Sequence, residues 1–71
     1  MRKYQVALDV LAVEGELKNF IKAKDIKTVP DFSMKTSFVG TREVLEEMIL
    51  VFFAKNDADR ARSLNAYIME A

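Results

Sequence analysis

The chain has 71 residues, of which 51% are apolar and 31% charged, and its eleven basic and eleven acidic side chains cancel. It has no cysteine and no histidine, which excludes disulfides and thiolate metal sites and removes the commonest metal ligand and general base. Zero net charge also speaks against a general nucleic-acid binder, whose affinity comes mostly from neutralised phosphates.

Residues 3–13, KYQVALDVLAV, alternate with period two. Tyr4, Val6, Leu8, Val10 and Ala12 fall on one face; Gln5, Ala7, Asp9, Leu11 and Val13 fall on the other. The pattern predicts a strand, with its second face turning apolar towards Leu11 and Val13. Glu14 and Gly15 offer a turn, and Gly15 supplies a positive φ if one is needed.

The following stretch, ELKNFIKAKDIKTV, reads two ways. As a strand it alternates Leu17, Asn19, Ile21 and Ala23 with Phe20, Lys22, Lys24 and Ile26. As a helix it carries Leu17, Phe20, Ile21 and Lys24 on one narrow stripe, with Ile26 opposite. We take the strand, paired back on the first by a tight hairpin. Pro30 and Asp31 then break the chain. In FSMKTSFV, Phe32, Met34, Thr36 and Phe38 share one face and Ser33, Lys35 and Ser37 the other, a third strand with one buried side.

Gly40 ends that strand and Thr41 is a good helix N-cap. Glu43, Glu46 and Glu47 occupy the first turns, where the helix dipole favours acids. Val44, Leu45, Met48, Ile49, Phe52 and Phe53 form a broad helical stripe. Leu50 and Val51 lie outside it, so residues 48–54 are apolar nearly all round. A second helix over residues 57–70, capped through Asn56 and Asp59, would turn Ala61, Leu64, Tyr67 and Ile68 inward. The expected fold is a single α+β domain over residues 1–71: a three-stranded antiparallel meander followed by one or two helices on one face. A helix at residues 16–25 gives β-α-β-α instead.

Few residues suggest chemistry. Ser33, Ser37 and Ser63 have no histidine to activate them, and Tyr4 and Tyr67 have no catalytic spacing around them. Asp57 and Asp59 begin like a calcium loop, but Ala61 and Arg62 stand where the third ligand and the glycine belong. Gly15 and Gly40 are isolated, so no phosphate-binding loop can be written and no cofactor is expected. The reading is not an enzyme.

The surplus lies in residues 48–54. A lone core in so short a chain yields about 3–5 kcal/mol, and small domains usually add a staple. Without cysteine or histidine, the staple left is a partner chain. Met48, Ile49, Leu50, Val51, Phe52 and Phe53 are therefore the candidate self-association segment, in a homodimer or higher oligomer formed helix to helix across a two-fold axis. Glu46, Glu47, Lys55 and Asp57 flank this aggregation-prone run as gatekeepers. Lys22, Lys24, Arg60 and Arg62 are candidate contacts for an anion, a nucleotide or single-stranded nucleic acid; lysines on a strand also guard an open edge.

No small-residue cleavage site follows the N-terminal apolar stretch, and residues 48–54 fall far short of the ~20 a membrane span needs. A cytoplasmic protein with no membrane contact is expected. The function expected is binding: a small interaction module that blocks or scaffolds a partner protein, of the kind frequent among viral and mobile-element accessory proteins.

Overall fold

The computed structural model describes residues 2–10, 12–30 and 34–71. Leu11, Phe32 and Ser33, assigned above to strand faces, and Asp31, assigned to a break, lie outside them. The elements are strand β1 (Tyr4–Leu8), helix α1 (Glu16–Ala23), strands β2 (Lys27–Pro30) and β3 (Thr36–Gly40), and helix α2 (Arg42–Met48). A π-helical segment (Ile49–Phe53), helix α3 (Ala58–Asn65) and a short strand β4 (Met69–Glu70) follow. The class is α+β as expected, with an antiparallel sheet and with helices after the longer strands.

The sheet order is β2-β3-β1-β4, every pair antiparallel. A helix joins β1 to β2, a hairpin joins β2 to β3, and the second helical stretch carries the chain across the sheet to β4. This is a split β-α-β connectivity. The first strand stops at Leu8, shorter than the alternation suggested, and Val10 and Val13 pack against the core from the irregular segment that follows.

Residues 16–23 correct the strand reading. They are the helix of the alternative, and the stretch looked ambiguous because it holds two elements. Leu17, Phe20 and Ile21 form the inward stripe of α1, while Ile26 belongs to the turn into β2. Gly15 enters the helix at φ 65°, using its conformational freedom. The exit is closed by two backbone bonds: Ile26 N–H donates to Ile21 C=O (3.0 Å) and Asp25 N–H to Lys22 C=O (3.4 Å). Asp25 sits between them at φ 56°. That is the Schellman closure, with aspartate where glycine is usual and with Ile21 and Ile26 both buried beside it.

Thr41 caps α2 as expected, its hydroxyl accepting from Val44 N–H at 3.3 Å. The helix then widens. Ala54 N–H donates to Ile49 C=O at 2.9 Å, a bond spanning five residues. The stripe explains this. Its apolar pairs recur every four residues, and an α-helix of ~3.6 residues per turn would let them drift off the core. A wider turn draws Phe52 and Phe53 back. Phe53 then meets Phe38 of β3 at 5.8 Å between ring centroids, and Phe52 meets Phe20 of α1 edge-on at 5.4 Å. The segment thus touches both α1 and the sheet through these two rings.

The C-terminal expectation also changes. Asp57, rather than Asn56, caps α3, its carboxylate accepting from Arg60 N–H at 3.1 Å. Ala61 and Ile68 are buried and Leu64 half-buried, as expected; Tyr67 is not, at 65% exposure. The helix ends at Asn65, and residues 69–70 pair with β1, Met69 opposite Gln5 and Glu70 opposite Tyr4.

Val6, Leu8, Thr36 and Phe38 line the covered side of the sheet, against Leu45, Met48 and Ile49. Their alternates Gln5, Ala7, Ser37 and Val39 lie on the side that carries no helix, and none of these four is buried.

Candidate interaction surfaces

Two surfaces of the domain are apolar and uncovered, one on each layer. The first is the outer side of the helical layer. Met48 and Ile49 are wholly enclosed, at 0% exposure, so they serve the subunit's own core and are closed to a second molecule. Phe52 and Phe53 are half-buried in the ring contacts described above. Leu50 and Val51 remain outside, at 53% and 48% exposure. Of the six residues in the candidate self-association segment, these two are the exposed ones.

Leu50 stands at a groove of about 690 Å³ between α2 and α3. Ala58 and Ala61 keep the α3 wall low, and Glu43, Glu46 and Glu47 rim the α2 wall. Arg42 holds Glu46 at 3.1 Å, and Arg62 holds Asp59 at 2.9 Å. Among the described residues, Glu43 and Glu47 have no cation within ion-pair distance. The groove is therefore apolar at its centre and acidic along one wall.

The second surface is the open face of the sheet. The register sets Lys27, Val39, Gln5 and Met69 in one row across the four strands, and Val29, Ser37 and Ala7 in the next. A shallow hollow of about 230 Å³ lies among Gln5, Ala7, Lys35, Ser37, Tyr67 and Met69. Val29, Tyr67 and Met69 are largely exposed. Lys27 and Lys35 are exposed, and neither meets a carboxylate within ion-pair distance among the described residues. This face is apolar with a basic character.

The four cations singled out from the sequence are not gathered. Lys22 and Lys24 sit on and just after α1, and Lys24 lies over the Phe20 ring at 5.9 Å. Lys24 shares a hollow with Arg2, Lys3 and Asp25, whereas Arg62 lines the groove between α2 and α3. Arg60 and Arg62 are exposed on α3, the latter paired with Asp59. On the open face, the central positions Gln5, Ala7, Ser37 and Val39 carry no ring, and Tyr67 lines the hollow beside them. Asp57 and Asp59 act locally, as a helix cap and an Arg62 partner. Among the described residues no three acidic side chains converge as a metal site would need, and no helix is long and apolar enough to cross a membrane.

Lys27 and Lys35 lie on this open face and are not among the contacts expected from the sequence, because the stretch holding Lys27 reads as one strand with residues 16–26. The signal for Lys35 was the alternation around β3, which put it on the wet face; the same alternation fails at Met34, read as inward but exposed at φ 62° ahead of the strand.

No protein-family model matches the chain, and no curated protein and no solved structure shows significant similarity to it.

Proposed function

We propose that this is a non-enzymatic protein-interaction module of the cytoplasm that associates with itself, and that acts by binding and thereby blocking or scaffolding a second protein. The observation that carries the reading is the exposure of Leu50 and Val51, 53% and 48%, directly after two side chains at 0%. Each is about half covered already, so burying the remainder is worth about 0.8–1.5 kcal/mol apiece as an upper bound. Together that approaches the few kcal/mol expected of a core this small.

Light scattering over a concentration series tests this. The wild-type chain should assemble, and Leu50→Lys with Val51→Lys should give a folded monomer. A wild-type chain that stays monomeric at every concentration removes the reading.

A further inference from the structure

Self-association leaves open what Leu50 and Val51 meet, and the two uncovered surfaces answer it together. We infer that copies of this chain assemble head to tail, the open sheet face of one seated on the α2–α3 face of the next. The inference rests on the self-association reading and goes beyond it by naming both halves of the contact.

Charge decides between the possible pairings. A two-fold contact sets each patch against itself. Helix layer to helix layer, it would bring Glu43 and Glu47 of two copies into one interface, with Arg42 and Arg62 engaged within their own subunits and the exposed Arg60 outside the lining of the groove. Sheet face to sheet face, it would oppose Lys27 and Lys35 to themselves. Like charges brought together at an interface cost several kcal/mol. The heterologous arrangement instead sets Lys27 and Lys35 against Glu43 and Glu47, four side chains with no opposite charge within ion-pair distance among the described residues, Lys35 sharing a hollow with Asp9.

Shape and polarity agree. Val29 and Met69, with the half-buried Val39 between them, offer an apolar sheet surface; Leu50 lines the groove over Ala58 and Ala61, and Val51 is exposed next to it in the chain. The two faces lie on opposite layers of the domain, so one contact does not block the next. Such a contact repeats from copy to copy, and the assembly grows with concentration where a two-fold dimer would saturate.

The test uses two charge-reversed chains. Lys27→Glu with Lys35→Glu spoils the sheet face only; Glu43→Lys with Glu47→Lys spoils the helix face only. Each alone should associate more weakly than wild type by on the order of tenfold or more, equivalent to about 1.4 kcal/mol. Mixed in equal amounts they should recover association, because each supplies the intact face the other lacks. Cross-linking provides a second measurement that leaves the charges alone, since the chain has no cysteine of its own. With a short bismaleimide, Leu50→Cys and Met69→Cys should cross-link when mixed and not when separate. Cross-linking of Leu50→Cys with itself, with Lys27→Glu and Lys35→Glu leaving association unchanged, overturns the head-to-tail contact while self-association stands. A monomeric wild type overturns both. So does a monomer that binds a single-stranded oligonucleotide in a Lys35-dependent manner.

Discussion

Thr36 is the one buried polar side chain among the described residues, at the start of β3 and opposite Leu8. Its hydroxyl donates to the carbonyl of Val10, which lies 26 residues earlier in the chain. The bond fastens the segment leaving β1 to the neighbouring strand, just where regular pairing stops. Replacing Thr36 by valine keeps the shape and deletes the donor. The Val10 carbonyl then loses its partner in a partly buried place, a loss worth about 1–3 kcal/mol. Thr36→Val should therefore lower stability by roughly that amount in urea unfolding, with an unchanged denaturant slope. A stability equal to wild type would mean that water replaces the bond without cost. The alternation of β3 already placed Thr36 on the inward face beside Phe38. Nothing in the sequence named Val10 as its partner, because that contact depends on how β1 ends.

The π-helical segment shows how a short apolar run is fitted into a small core. The four-residue repeat of its apolar pairs was legible in the sequence, and so was the exposure of Leu50 and Val51 outside the stripe. The local widening was not, because periodicity shows which face is apolar and leaves the helix type open. A π turn carries one residue more than the α turn it replaces. Deleting Val51, exposed within that turn, should let it close to an α turn while Phe52, Phe53 and Ala54 keep their contacts. Deleting Glu47 from α2, equally exposed, rotates Met48 and Ile49 by roughly 100° relative to Leu45. Far-ultraviolet circular dichroism on heating should show a cooperative transition for the Val51 deletion and none for the Glu47 deletion. The opposite order would mean that the widened turn itself holds the fold together. Helix α1 was harder to read than either strand. Its stop signal is Asp25 in a left-handed conformation rather than a glycine, so the helix reads as running on to Ile26, which then falls opposite the stripe and makes the stripe look narrow. Strand β4 is two residues long, too short for alternation to register, and the helix reading ran through it.

Zero net charge conceals an uneven distribution across the molecule. The open sheet face carries Lys27 and Lys35, the α2–α3 face carries Glu43 and Glu47, and the domain between them measures only 28 × 26 × 25 Å. Folding puts these charges on opposite layers, and no count along the sequence reveals that, because a count does not say which layer each element joins. The physical consequence is measurable without a mutation. Association that buries Leu50 and Val51 alone depends weakly on salt, whereas pairing of exposed lysines with glutamates is screened beyond the Debye length, about 10 Å at 0.1 M and 3 Å at 1 M. Any assembly that forms only between folded chains also raises the melting temperature as the protein concentration rises. The melting temperature should therefore climb with concentration at low salt, and the slope should flatten towards 1 M sodium chloride. A slope that persists unchanged at high salt would place the association in the apolar side chains and exclude the charged rims. A melting temperature independent of concentration at both salts would return Leu50 and Val51 to ordinary exposed side chains of a monomer.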